Sequence, residues 1–545
     1  MKRSLKALWD FLTTFEPADV QVSRDNIVTQ LRNDKLAALQ IILLIAVSLM
    51  LRLQGLGYSN FQGDEILTLC KFSDYKALPQ FLGYLLDQKK GPVQYLITCA
   101  FSILDPTFSS ELALRLPFAI ANLLALACFF ILVYRLFKLP TAIYASFLFA
   151  TNGIFIAFAR IVQYQSIVLL GGLLGILGIA LALTHDKWRA AGLYIGFISA
   201  ATGLLAHFDG AFFVPPMLVL AAHWWLKFRN QPGFARLRVH LLIAAALSLL
   251  LLIAFYGAYI LHLGPSQLNY WEDRRTGAST NILQLVQFYN PGPVVWICLG
   301  WVVLGLTRMR RSIGWQVLLA WILPSLIFMA LIFKDSRTHA YTYLLPLLIV
   351  AGIGIDAMVG WLQPFLRSRS FRVVEAAVLA IFLIFSYLSW EIFIDHNPEY
   401  PWNPKSVLGL KFEGGFLTGT FGFPYSREWR DIGKWFQGLP NGEDVVLVTN
   451  EKTQIAAFYL PSGVQNRFRY GTSEFPEDLR APDGLYVLII QEPQSWTYKL
   501  WGLSLDTWHK KFVPLHDFVN QEGKVVASVY FLTPEQIKTN FQSGT

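Results

Sequence analysis

The chain has 545 residues, of which 54% are hydrophobic and only 15% charged, where a soluble domain carries roughly a quarter charged residues. That excludes an ordinary soluble enzyme and points to a polytopic membrane protein. The formal charge of +9 does not indicate a nucleic-acid partner, because Lys and Arg fall in short clusters between apolar runs.

The first 36 residues form a segment mixed in charge. Leu5, Leu8, Trp9, Leu12 and Phe15 recur at helical spacing, which predicts a short helix on the cytoplasmic membrane surface. The segment lacks the layout of a signal peptide. From Leu36 the chain turns apolar, and IILLIAVSLML with its flanks is long enough to cross a bilayer.

A large outer loop follows, over 56–111. It contains YSNFQGDEILTL (58–69) and then the apolar stretch 93–104, whose length suits an interfacial or re-entrant segment better than a span. Later spans are expected to start near Leu112, Thr141, Ser166, Ala190, Ala211, His240, Pro293, Ile313, Ala340 and Arg372, giving about eleven spans. With that count the basic loops at Arg135/Lys138, Lys187/Arg189, Lys227–Arg238, Arg308–Arg311 and Arg367–Arg372 share one side. The positive-inside rule makes that side cytoplasmic. Asp64 and Glu65 then face outward, and no charged residue lies well inside a span.

Residues 396–545 change character. Short apolar runs at 445–449, 485–490 and 525–532 alternate with turns, and SREWRDIGKWFQGL and NEKTQIAAFYL read as helices capped by Ser426 and Asn450. This is a soluble α/β domain on the outer side. The expected architecture is a polytopic α-helical membrane region over 37–395 followed by that domain. Four scattered cysteines form no recognisable disulfide or metal framework.

The outward polar residues recur at span ends. They are Asp64 and Glu65; Lys89 and Lys90; Arg160, Gln163, Tyr164 and Gln165; His207 and Asp209; Trp271 to Arg275; and Lys334, Asp335, Arg337, His339, Tyr341 and Tyr343. Each cluster alone has a bland reading, since charged and amphipathic side chains favour membrane interfaces. Together they concentrate positive charge on a face where Lys and Arg should be scarce, which predicts an anionic ligand. A sugar carried on a lipid phosphate fits: cations stabilise the departing phosphate, and a carboxylate on the opposite face of the sugar takes the proton of the incoming hydroxyl. One displacement of this kind inverts the anomeric centre. The scheme requires no cofactor or metal, and a divalent ion would need Asp64, Glu65 and Asp209 to converge.

The motifs GDEILTL, KKGPVQYL, ELALRLPFAIANLLALACFFILVYRLF, ARIVQYQS, AHFDGAFFVPP and YTYLLPLLIVAG, in that order, resemble the GT-C class of integral membrane glycosyltransferases. The likeness is to the protein O-mannosyltransferases and the lipid A aminoarabinose transferases. The resemblance covers about 37–395. It implies a polyprenyl-phosphate-sugar donor and a lipid, protein or polysaccharide acceptor. It also implies that Asp64 is the base with Glu65 as its partner. Lys90, Arg274, Arg275, Lys334, Arg337, Tyr341 and Tyr343 would hold the donor phosphate, and Arg160, Gln163, Tyr164, Gln165, His207 and Asp209 would contact sugar or acceptor. The pattern departs at Gln165, where the mannosyltransferases carry an aspartate. A transporter or flippase of a lipid-linked anionic sugar is the alternative, although no internal repeat pairs the two halves. The location expected is a prokaryotic plasma membrane.

Overall fold

The computed structural model describes residues 27–88, 90–276, 281–332, 337–365, 368–415, 421–439, 445–465, 468–470, 483–495 and 497–542. The surface helix expected over the first residues lies outside these.

Among the described residues, eight helices are long and apolar enough to cross a membrane, and up to ten if each of two bent pairs is one span. The bent pairs are Leu139–Thr151 with Gly153–Ala159 and Ile282–Tyr289 with Gly292–Leu306. The protein is an integral membrane protein. Hydropathy windows predict about eleven spans; the helix at the remaining position, Ile313–Ile327, has 15 residues and continues directly into the π-helical stretch Phe328–Ile332. The stretch after the first outer loop forms the helix Val93–Ser102, whose 10 residues are too few to cross.

Local signals set the helix limits. Asp34 caps Lys35–Leu53 by accepting from the Leu36 and Ala37 amides at 3.1 and 3.2 Å. Small residues set the closest helix contact: a Cβ on Gly178 would meet the Gly196 amide nitrogen at 2.5 Å, so Gln165–Thr184 and Arg189–Ala206 pack almost backbone to backbone. Phe234–Leu261 instead leaves Leu242, Leu250 and Ile253 exposed, as a lipid-facing helix does.

Contacts between turns sort the helix ends into two sets. At one end Lys138 pairs with Asp356 at 2.7 Å, and Arg308 lies over the Trp361 ring at 4.9 Å. At the other, Lys90 reaches Gln163 at 3.3 Å and His339 reaches Asp209 at 2.8 Å. These are the groupings that alternating spans require.

One expectation is corrected. Cys70 and Cys99 form a disulfide, joining the chain just after the Asp64 turn to the helix Val93–Ser102. Their spacing of 29 residues matches no common framework, so the sequence alone does not reveal it. A buried charge also stands at a helix end, in the last turn of Lys35–Leu53. Arg52 is fully buried and donates to Asn122 Oδ1 at 2.8 Å and to the Ala150 carbonyl at 3.0 Å, where it caps the first half of a bent span.

Beyond Phe393 the chain builds a five-stranded sheet. Phe468–Tyr470, Leu447–Thr449 and Leu485–Ile490 run parallel, and Val525–Leu532 and His516–Val519 follow antiparallel. The helix Trp429–Gln437 starts at Glu428, not Ser426, and Thr453–Tyr459 starts at Lys452, not Asn450. Asn450 is used differently: its amide bridges the Ile490 N–H and carbonyl at 2.8 and 2.9 Å, tying adjacent strands.

The sheet region rests on the 58–66 turn. Asn60 N–H donates to the Tyr425 carbonyl at 2.9 Å, Arg427 N–H donates to Asn60 Oδ1 at 2.8 Å, and Phe61 N–H donates to the Tyr459 hydroxyl at 2.7 Å. Tyr459 in turn donates to Glu111 at 2.9 Å, and Arg430 pairs with Glu111 at 2.8 Å.

Candidate active site

The two adjacent carboxylates have different fates. Residues Gly63–Ile66 form one helical turn in which the Glu65 carboxylate accepts from the Gln62 amide at 2.9 Å, closing a capping box. The same carboxylate receives Arg115 Nε at 2.8 Å on Oε1 and Nη2 at 2.7 Å on Oε2, and the Val162 amide at 2.9 Å. Glu65 and Arg115 are both buried, and a bidentate pair so satisfied is rigid. Arg115 also donates to the carbonyls of Leu56, Ser59 and Asn60. It gathers the whole turn. Asp64, one residue away, is left exposed.

The turn after Gly153–Ala159 is attached to the same framework. Thr68 donates to the Val162 carbonyl at 3.2 Å. Arg160 is buried and donates to the carbonyls of Leu51, Gln54 and Gly55 at 3.3, 2.8 and 3.0 Å. Those oxygens lie at the C-terminal end of the first span, where carbonyls lack partners further along the helix, and the Gly55 oxygen also accepts from the Tyr58 amide at 3.2 Å. Arg160 therefore serves as a C-terminal cap there.

Lys90 enters from the far side of the loop. Gly91 makes this approach: its N–H donates to the Ala206 carbonyl at 3.2 Å, and no side chain fits there, because a Cβ would collide with the Leu205 carbonyl. The Lys90 ammonium reaches Gln163 Oε1 at 3.3 Å and lies 5.6 Å from the Tyr164 ring centroid. Burial pushes it below the ordinary lysine range, and the nearby Asp64 carboxylate opposes that shift. Tyr164 stacks on His207 at 3.8 Å. His207, Asp209 and His339 converge and are all buried.

Asp64, Lys90, Gln163, Tyr164, His207, Asp209 and Tyr341 thus form a continuous outer cluster, in which the Tyr341 hydroxyl feels the Asp209 carboxylate. Tyr343 and Gln165 are buried beside it in helices Tyr341–Leu362 and Gln165–Thr184. Arg274 and Arg275 lie on the separate helix Pro265–Thr276, where exposed Arg275 pairs with Glu272 at 2.8 Å. Arg337 begins the turn that carries His339; Lys334 lies outside the described residues. Both Glu65 oxygens are occupied by Arg115, so Asp64, Glu65 and Asp209 do not assemble a common ion site. Sequence reasoning misses Arg115, although its signal is present: an arginine one turn into an apolar helix requires a buried acid.

With this geometry in hand, comparison with known proteins is informative. ArnT from Cupriavidus metallidurans in the apo state superposes with a TM-score of 0.51 at 13% identity, covering 90% of this chain and 98% of that one. The chain has the GT-C fold. ArnT bound to undecaprenyl phosphate gives the same TM-score of 0.51 at 14% identity, over 90% of this chain and 97% of that one. The Archaeoglobus fulgidus oligosaccharyltransferase tethered with an acceptor peptide aligns at a TM-score of 0.47 and 14% identity, over 91% of this chain and 74% of that one. The family model described as dolichyl-phosphate-mannose-protein mannosyltransferase matches residues 89–256. That stretch runs from the Lys90 approach through the 160–165 turn to the His207 turn, three walls of the cluster. No curated protein matches the sequence. The GT-C resemblance drawn from ordered motifs is therefore met by the fold.

Proposed function

We propose that this GT-C chain transfers a sugar from a polyprenyl-phosphate donor to an acceptor hydroxyl on the extracytoplasmic face. The observation that carries the reading is the division of labour at 64–65: one carboxylate is locked by Arg115 and the other is presented to solvent beside Lys90. The acceptor oxygen attacks the anomeric carbon, its proton passes to Asp64, and the bond from that carbon to the phosphate oxygen breaks. The electron pair leaves with the polyprenyl phosphate, which Lys90 stabilises. Attack opposite the leaving group inverts the centre. The related fold of ArnT holding undecaprenyl phosphate supports a lipid-phosphate donor.

Glu65 acts by positioning. Tyr341 and Tyr343 offer hydroxyls to the phosphate, Gln163 and Gln165 offer amides to the sugar, and Arg274, Arg275, Lys334 and Arg337 supply outer cations. The Cys70–Cys99 disulfide supports an outward placement of this face, since such bonds persist in oxidising compartments. The basic loops at the opposite end support a cytoplasmic N-terminus. The region 396–545 acts as an outer domain that roofs the catalytic turn.

The test is transfer of radiolabelled sugar from a mixed pool of polyprenyl-phosphate sugars by membranes carrying the native chain or Asp64→Asn. A fall of about a hundredfold, roughly 2.7 kcal/mol of transition-state stabilisation, is expected in the mutant. Equal transfer by both rejects Asp64 as the base, and movement of lipid-linked sugar across the bilayer without transfer makes the chain a flippase.

A further inference from the structure

We propose that His207, Asp209 and His339 bind a divalent first-row ion of the zinc class. The residues come from two elements, the turn entering Phe208–Phe228 and the turn entering Tyr341–Leu362. One ligand atom from each lies within 4.8 Å of the others. The closest approaches are His207 Nδ1 to Asp209 Oδ1 at 3.2 Å, and His339 Nδ1 to Asp209 Oδ2 at 2.8 Å and Oδ1 at 3.0 Å. Around tetrahedral zinc, with bonds of about 2.0–2.1 Å to nitrogen and oxygen, neighbouring donor atoms sit roughly 3.3 Å apart. Two of the three edges are already near that length.

Hydrogen bonding alone leaves a conflict. The Asp209 amide N–H donates to His207 Nδ1 at 3.2 Å, so that nitrogen presents a lone pair. The same nitrogen faces Asp209 Oδ1, another acceptor, at 3.2 Å. It cannot accept from the amide and donate to the carboxylate at once. An ion would take the His207 Nδ1 lone pair in place of the Asp209 N–H and pair it with the carboxylate oxygen, removing the opposition between the two acceptors. The three side chains are at most 3% exposed, so water is poorly placed to relieve them.

The surroundings favour a fixed site. Tyr164 stacked on His207 sets the ring plane, as supporting contacts do around metal-bound imidazoles. Gly210 lies so close to Gly203 that a Cβ would come within 2.6 Å of its carbonyl carbon, which pins the turn. Two imidazoles select a zinc-like ion over magnesium or calcium, which prefer oxygen ligands only. Lys90, Tyr256 and Tyr341 also act on the cluster. A fourth position for water or a phosphate oxygen completes the site. Only the ion's role rests on the glycosyl-transfer reading: next to Lys90 it is a second cation for the donor phosphate.

The test uses the full chain purified in detergent after zinc loading and desalting, with metal content read by mass spectrometry. The expected result is about one zinc per chain, with occupancy at least tenfold lower in Asp209→Asn and His339→Gln. His185→Gln, altering an exposed histidine in the loop before Arg189–Ala206, should leave occupancy unchanged. Zinc-free native protein, or variants that keep their zinc, overturns the site. If the variants do not purify as monodisperse protein, cobalt(II) loading of the native chain decides: visible bands of a tetrahedral nitrogen and oxygen site support it, and their absence overturns it. Metal content is read without any transfer assay, so failure of this site and failure of the glycosyltransferase reading are separate results.

Discussion

Glu65 and Arg115 lie 50 residues apart in sequence and meet through two hydrogen bonds of 2.7 and 2.8 Å, both side chains almost wholly removed from solvent. The pair defines where Asp64 stands.

Breaking that pair should be far more damaging than altering Asp64. Arg115→Met leaves a buried carboxylate without a counter-ion, a loss of about 3–5 kcal/mol. Thermal unfolding in detergent should show a clear drop for Arg115→Met and almost none for Asp64→Asn, whose side chain is exposed. Equal melting of the two variants would remove the pair from its organising role.

The pH dependence of donor use should report Lys90. Its ammonium is held below the ordinary lysine range by burial, where a free lysine titrates near about 10.4. The cationic form binds phosphate, so activity is present below the folded pKa and is lost as pH rises through it. kcat/KM should therefore decline at an alkaline midpoint below that of free lysine. Lys90→Arg should push the decline to higher pH, and an unchanged profile in that variant would assign the limb to another group.

Tyr459→Phe should loosen the outer domain from the membrane region. The substitution deprives the Phe61 amide and Glu111 of a partner, at a cost of about 1–3 kcal/mol for buried polar groups left unmet. Limited proteolysis should cut between the last span and the sheet faster than in the native chain, while the fragments keep their own resistance. Unchanged cutting would mean that the remaining contacts, through Tyr425, Arg427 and Arg430, hold the interface without it.

Thiol counting checks the disulfide. Denatured, unreduced protein should alkylate at Cys128 and Cys298 only, and at all 4 cysteines after reduction. Four reactive thiols before reduction would contradict the bond. Cys99→Ser should lower stability by about 2–4 kcal/mol, as loss of a loop-closing crosslink does.

Much of the architecture is legible in the chain because hydropathy and charge act over whole segments. The apolar runs, the basic loops and the three apolar strand cores at 447–449, 485–490 and 525–532 follow from composition within a window. The site is legible only in part. Asp64, Lys90, Tyr164, His207 and Asp209 stand out as polar residues at span ends. What separates Asp64 from Glu65 is a partner 50 residues away, and nothing local marks it. Arg160 has the same difficulty: a buried guanidinium capping carbonyls of another helix has the sequence signature of one awaiting an anion. The cysteine pairing and the true starts of Trp429–Gln437 and Thr453–Tyr459 likewise depend on tertiary neighbours that spacing does not encode.

The turn at 58–66 is bonded on one side to Arg115 and on the other to Tyr425, Arg427 and Tyr459. It therefore belongs structurally to both halves of the molecule while being encoded in only one. A chimera that exchanges the outer domain at its obvious seam after Phe393 would inherit a lid cut for a different keel, even if each half folds. Transplanting acceptor preference between such chains requires moving residues 58–66 together with the domain above them, as one block from two distant places in the gene.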